Sequence, residues 1–148
     1  MRKLKIMAVI VLMSGSMPAF NQVDNIYAEV RGDTVTLWQT NAWRNCGALY
    51  QMEIEQDGFN LAWYQNDTGQ AAYCMCYFNL SVTFILTAAG SYHADVYYTE
   101  SFDPDNPIYQ GYVDFVAGNG SFMPRSGIIG QFQSECFEYN GAEGEVLR

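Results

Sequence analysis

The chain has 148 residues, with 16 acidic and seven basic side chains and a formal net charge of −9 at neutral pH. Seven cationic side chains are too few to neutralise the phosphates of nucleic acids or of anionic lipids. The composition therefore argues against nucleic acids and anionic membranes as partners. Aromatic residues make up 16% of the chain and glycines number 13, a mix that favours strands over helices in one domain of ordinary size.

The first 19 residues have the organisation of a secretory signal peptide. Arg2, Lys3 and Lys5 precede the apolar run 6–13, and small residues follow it. That run is far shorter than the ~20 apolar residues of a transmembrane helix. We expect cleavage near residue 16 or 19, which leaves no transmembrane segment in the mature chain. The sequence therefore predicts a secreted, periplasmic or cell-surface protein.

Short segments that alternate apolar and polar residues follow one another along the rest of the chain. Gly32-Asp33 and Asp57-Gly58 supply the tight turns of two hairpins. The segments 41–47 and 100–107 are rich in turn formers and are expected to be loops. The predicted strands are Tyr27–Arg31, Thr34–Thr40, Leu49–Glu55, Phe59–Gln65, Tyr73–Leu86, Ser91–Thr99, Ile108–Val116 and Ile128–Phe137.

Seven to eight strands without a helix or a sequence repeat predict an all-β protein, with a β-sandwich as the first choice and a barrel as the second. We expect one sandwich domain over residues 20–139. Residues 140–148 are expected to form a flexible C-terminal tail.

The four cysteines predict two structural disulfides. Cys74 and Cys76 lie two residues apart in a predicted strand, so they share a face and cannot bond each other without a strained ring. Each then needs its own partner from Cys46 and Cys136. Two pairings stay open, 46–74 with 76–136 and 46–76 with 74–136. The C-x-C spacing and an oxidising compartment argue against a zinc site.

Few residues offer chemistry beyond binding. His93 is the only histidine and shares a strand face with Asp95 and Tyr97, which predicts a solvated position without the nucleophile that catalysis requires. The loop 100–106 offers Asp103, Asp105 and Asn106 as oxygen ligands, so calcium is a candidate ion. No other cofactor is expected.

Two stretches resemble known groups of proteins. Leu86 followed by Gly90–Val96 resembles the L-x-x-G-x-Y-x-V-x-V strand entry of fibronectin type III and related immunoglobulin-like modules. The segment 41–46 together with C-x-C-Y-F-x-L at 74–80 is similar to small uncharacterised secreted proteins and lipoproteins of bacteria. The resemblance covers residues 34–99 and implies an immunoglobulin-like or fibronectin type III-like sandwich, without implying an activity. The chain lacks the lipid-attachment cysteine of the lipoproteins.

These observations predict a non-catalytic binding or structural module of the cell envelope or the extracellular space. Trp43 and Arg44, in a loop held by a disulfide, are the expected contact surface for a protein or glycan partner, because tryptophan and arginine are frequent anchors. A carbohydrate-binding module with a row of coplanar exposed rings is one alternative. A small hydrolase with two carboxylates in a cleft is the other.

Overall fold

A computed structural model of the protein describes residues 25–118 and 127–138. The predicted signal peptide and the tail 140–148 lie outside these ranges. The described residues form eight strands and no helix, which confirms an all-β protein, and none of their segments is a helix able to cross a membrane. The strands are β1 (Asn25–Arg31), β2 (Thr34–Asn45), β3 (Tyr50–Asp57), β4 (Asn60–Asp67), β5 (Met75–Ile85), β6 (Gly90–Glu100), β7 (Asp103–Ala117) and β8 (Gly127–Gln133).

The strands form two four-stranded sheets that pack face to face. Sheet I has the order β1-β2-β5-β8 and sheet II the order β3-β4-β6-β7. All neighbours are antiparallel except β4 and β6, which run parallel. The two predicted hairpins are confirmed, and Gly32 and Gly58 adopt the positive φ angles of their turns. The core between the sheets includes Val35, Leu37, Leu61, Trp63, Leu80, Val82, Ala94 and Val96.

A β-bulge divides β2 into two halves. Gln39 pairs with Leu80 and Ala42 with Phe78, so β2 has one residue more than β5 in this interval. Asn41 takes up the extra length with a φ of 59°, a left-handed conformation that asparagine tolerates. The prediction of a loop over residues 41–47 was wrong for residues 41–45, because the bulge interrupts the alternation of the sequence while the strand continues to residue 45. Cys46 and Gly47 form a turn, as predicted.

The prediction of a loop over residues 100–107 was also wrong. Ser101 and Phe102 alone form the turn, and β7 begins at Asp103. A second bulge lies in β7. Val96 and Tyr97 of β6 pair with Gly111 and Tyr109 of β7, so Gln110 is the extra residue. Gly111 has a φ of 142°, which a residue with a side chain rarely adopts.

Two disulfides tie the sandwich together, as predicted. Cys46 bonds Cys74, and Cys76 bonds Cys136, which resolves the pairing that the sequence left open. The second bridge joins β5 to the segment after β8, where Tyr77 and Phe137 also exchange two backbone hydrogen bonds of 3.0 Å. Each bridge stabilises the fold by restricting the unfolded chain. The disulfide-stapled β-sandwich is thereby confirmed, while its likeness to immunoglobulin-like domains stays a prediction.

Side-chain amides join the two sheets at two places. In the core, Gln65 Nε2 of sheet II donates to Gln39 Oε1 of sheet I over 2.6 Å, and both side chains are fully buried. At one side of the sandwich, Gln133 and Gln131 of β8 accept hydrogen bonds from the backbone N–H groups of Tyr50 and Met52 in β3, at 2.9 and 3.1 Å. These bonds satisfy N–H groups that face away from β4.

Candidate binding site around Arg44

The bulge in β2 decides which side chains enter the site. Before it, the odd-numbered residues 35, 37 and 39 are buried; after it, the even-numbered Ala42 and Arg44 are buried. One extra residue reverses the alternation of a strand. Arg44 therefore points into the sandwich with 4% of its surface exposed, while Trp43 points outward with 47% exposed. The predicted pair is thus placed in a strand, on opposite faces.

Three neighbours hold the Arg44 guanidinium. Nη1 donates to the carbonyl of Trp43 over 3.0 Å, and Nη2 donates to Gln110 Oε1 over 3.0 Å. The guanidinium carbon lies 4.0 Å from the centre of the Tyr98 ring, a cation–π geometry. Gln110 is the extra residue of the β7 bulge, and bulges commonly redirect a side chain in this way. Two bulges thus cooperate to place one buried cation.

Arg44 has no carboxylate partner within 4.0 Å among residues 25–118 and 127–138. Its Nε atom is buried and makes no hydrogen bond. A buried cation without an ion pair is uncommon, because removing charge from water costs free energy. Beside it, burial raises the pKa of the Tyr50 hydroxyl well above its usual range, although Arg44 acts in the opposite direction. Tyr50 is therefore a neutral phenol at physiological pH.

Arg44 lines a cavity of about 230 Å³, hereafter the Arg44 cavity. Its polar part contains the carboxylates of Asp67 and Glu100. Its apolar part contains side chains that are exposed to solvent, namely Trp43, Met75 and Phe102, of which Phe102 is 75% exposed. The volume is below the roughly 300–1,000 Å³ that is usual for a drug-sized ligand. The cavity suits a group about the size of one side chain.

The wall of the cavity beside β2 is held rigidly. Asn45 Oδ1 accepts the N–H groups of Gly47 and Ala72 at 3.0 and 2.8 Å, and its Nδ2 donates to the Ala72 carbonyl at 2.7 Å. The Cys46–Cys74 bridge lies next to these contacts, with Cys46 N donating to the Cys74 carbonyl at 3.1 Å. A wall fixed in this way loses little entropy when a ligand binds.

The two glycines of this wall allow the close approach of the two segments. A Cβ atom on Gly69 would meet the carbonyl oxygen of Gly47, and one on Gly47 would meet the carbonyl oxygen of Gln70. Backbone atoms cannot move aside as a flexible side chain can. Both positions therefore require glycine for packing.

The prediction of a solvated His93 is confirmed. Its Nδ1 lies 2.6 Å from Asp114 Oδ1 and its Nε2 lies 3.3 Å from Asp95 Oδ1, and the side chain is 41% exposed. The hydrogen bond with Asp114 is the largest cause of a raised pKa for this histidine. Both ring nitrogens therefore face carboxylates.

The predicted calcium ligands lie in the first part of β7 and not in a loop. Asn106 Nδ2 donates to Asp103 Oδ1 over 2.6 Å, so the amide of Asn106 turns its nitrogen, which cannot bind a cation, toward Asp103. Asp105 lies on the same exposed stretch. The calcium site stays a prediction from the sequence.

Sequence reasoning found Trp43 and Arg44 but missed the residues that build the cavity around them. Tyr98, Glu100, Phe102 and Gln110 come from β6, β7 and the turn between them, about 60 residues later in the chain. For Glu100 and Phe102 the sequence signal was the cluster of polar and turn-forming residues over 100–107, which indicated a loop, whereas Tyr98 and Gln110 lay in predicted strands.

Comparison with known proteins finds no matching family model, no matching curated protein and no matching solved structure.

Proposed function

We propose that the protein is an exported, non-catalytic β-sandwich module that binds a protein partner at the end of the sandwich that contains the Arg44 cavity. The observation that carries the proposal is the ring of exposed Trp43, Met75 and Phe102 around a cavity with a buried Arg44. Tryptophan, methionine, phenylalanine and arginine are enriched at protein interfaces. Exposed apolar side chains that are grouped around one cavity mark interaction sites, whereas singly scattered ones are ordinary.

The size and lining of the cavity favour a protein partner over a free small molecule. A cavity of about 230 Å³ with an apolar rim is suited to one anchoring side chain, as in the central pockets of protein interfaces. Asp67 and Glu100, which line the cavity together with Arg44, would give the inserted group polar contacts. Most of the remaining interface would be the exposed rim.

Two features support export and a role other than catalysis. The disulfides suit an oxidising compartment outside the cytosol. The carboxylates that engage both nitrogens of His93 argue against a histidine base in the described residues.

The test is affinity capture with the purified mature chain, compared with a variant of the rim. Trp43→Ala/Phe102→Ala removes two exposed rings of the rim, whereas Tyr109→Ala/Tyr112→Ala removes two exposed rings from β7 outside the cavity lining. Surface plasmon resonance then measures the captured partner against each protein. We expect the rim variant to lose about tenfold or more in affinity and the β7 variant to bind like the wild type. Equal affinity of the rim variant and the wild type would refute the proposal.

A further inference from the structure

The outer face of sheet I carries an aromatic row. Tyr27, Trp38, Ser81 and Phe132 are in register across β1, β2, β5 and β8. The Tyr27 and Trp38 rings are nearly parallel, with 14° between their planes and 6.3 Å between their centres. The Phe132 ring lies 6.0 Å from Trp38, edge-on, with the small Ser81 between them. Trp38 is therefore held upright between two rings.

The next row along the strands has no aromatic side chain, and its two central residues are threonines. Glu29, Thr36, Thr83 and Gly130 occupy the in-register positions. A Cβ on Gly130 would have only ordinary contacts with Thr83, so this position is open. The difference in height between the two rows creates a groove of about 320 Å³ with Trp38 as one wall and the threonines as its floor. We call it the Trp38 groove.

The polar groups of the groove are balanced in charge. Glu29 and Arg31 both line it from β1, and they form no ion pair within 4.0 Å, the described pairs being those of His93. The Thr36 and Thr83 hydroxyls share one hydrogen bond of 2.9 Å. Each hydroxyl still has hydrogen-bonding capacity, because a hydroxyl has one donor and two acceptor sites. One acid and one base give the groove no net charge, which suits an uncharged ligand.

A pyranose ring has the complementary chemistry. One of its faces presents C–H groups that stack on an aromatic ring, and its edge presents hydroxyls that both donate and accept hydrogen bonds. An indole wall beside a carboxylate, a guanidinium and two hydroxyls provides a surface for each of these parts. Ligand sites commonly combine an aromatic lining with a few placed polar groups.

We propose that the Trp38 groove binds a pyranose ring of an uncharged saccharide. The sugar stacks on Trp38, Glu29 accepts hydrogen bonds from its hydroxyls and Arg31 donates to them. The two threonines contact the ring from below. No residue lines both this groove and the Arg44 cavity, so the inference does not depend on the proposed protein partner.

The test starts from a glycan array that carries hexose, N-acetylhexosamine and uronic acid polymers. A bound saccharide is then titrated into the purified mature protein by isothermal calorimetry. Glu29→Gln and Arg31→Gln change exposed side chains, so both variants should fold. Trp38→Phe keeps a ring in the half-buried aromatic row. Circular dichroism and the thermal midpoint confirm that each variant is folded.

We expect an uncharged saccharide to bind the wild type and to bind Glu29→Gln and Arg31→Gln about tenfold more weakly, as when a hydrogen-bonding group is lost from a site. Trp38→Phe should also weaken binding, because the smaller ring offers less stacking area. The rim variant Trp43→Ala/Phe102→Ala should bind the saccharide normally. No binding to any uncharged glycan, or binding that all three groove variants retain at full strength, would overturn the inference. Loss of saccharide binding in the rim variant alone would also overturn it and place the sugar at the Arg44 cavity.

Discussion

Removing the Cys76–Cys136 bridge should destabilise the protein more than removing the Cys46–Cys74 bridge. Cys76 and Cys136 are 60 residues apart, whereas Cys46 and Cys74 are 28 apart. In the chain-entropy model these separations correspond to about 4.3 and about 3.6 kcal/mol at 25 °C. The two closed segments do not overlap, so the two contributions should add.

Packing also predicts that the loss of the Cys76–Cys136 bridge destabilises the protein more. The Cys76 side chain belongs to the core and is 4% exposed, whereas Cys74 is exposed. The variant Cys76→Ala/Cys136→Ala therefore loses a buried sulfur as well as the crosslink, and Cys46→Ala/Cys74→Ala loses mainly the crosslink. Since a domain of this kind has about 5–15 kcal/mol of stability in total, a variant without both bridges should be largely unfolded at 37 °C.

Urea unfolding of the wild type and the two double variants, followed by tryptophan fluorescence, gives the free energy of unfolding and the m-value of each. We expect both variants to have larger m-values, because the unfolded chain without a crosslink exposes more surface. A greater loss of stability for Cys46→Ala/Cys74→Ala than for Cys76→Ala/Cys136→Ala would refute the reasoning. So would a loss below about 1 kcal/mol in both.

Three further predictions concern the core, one titrating group and one close contact. Gln65→Leu should cost about 1–3 kcal/mol, because the buried Gln39 amide loses its donor. Adding Gln39→Leu should recover part of that cost, and a urea-unfolding double-mutant cycle in which the two costs simply add would contradict this. The raised pKa of His93 means that its contribution to stability is complete below its usual value of 6.5 and is lost as the pH rises through the raised pKa. The difference in thermal midpoint between the wild type and His93→Gln should therefore shrink from pH 5.5 to pH 9, and a constant difference would argue against the contact with Asp114. Gly69→Ala should destabilise by about 1–3 kcal/mol in urea unfolding, because the methyl group meets backbone atoms. Gly118→Ala, which has open space around it, is the matched control, and equal effects of the two would refute the packing argument.

The sequence was most informative where local chemistry dictates the backbone. The Gly32 and Gly58 turns were recognisable because a tight hairpin turn needs positive φ angles. The shared strand face of His93 and Asp95 was predicted from alternation alone, and in the structure His93 Nε2 lies 3.3 Å from Asp95 Oδ1. Strand geometry also prevents the two cysteines of a C-x-C pair from bonding each other, and this limited the possible disulfide pairings to two.

The sequence was misleading where a strand departs from regular alternation. Asn41 and Gln110 are extra residues, and an extra residue is defined only relative to the partner strand. Without β5 as a reference, residues 41–47 resemble a loop. Residues 100–107 resemble one for another reason, because their aspartate, asparagine and proline side chains are typical of turns. The burial of Arg44 follows from the first of these bulges, so the exposed loop predicted around Trp43 and Arg44 could not have been corrected from local sequence.

The hydrogen bonds that β3 donates to glutamine side chains of β8 affect how the protein behaves at high concentration. β3 is an outer strand of sheet II, and an outer strand with free N–H groups can recruit a strand from another molecule. Gln131 and Gln133 occupy those groups at Tyr50 and Met52. On the opposite edge, β7 carries Pro104 and Pro107, which have no N–H to offer. Sheet II is thus protected against edge-to-edge polymerisation on both sides, which favours separate molecules over strand-paired aggregates at high concentration.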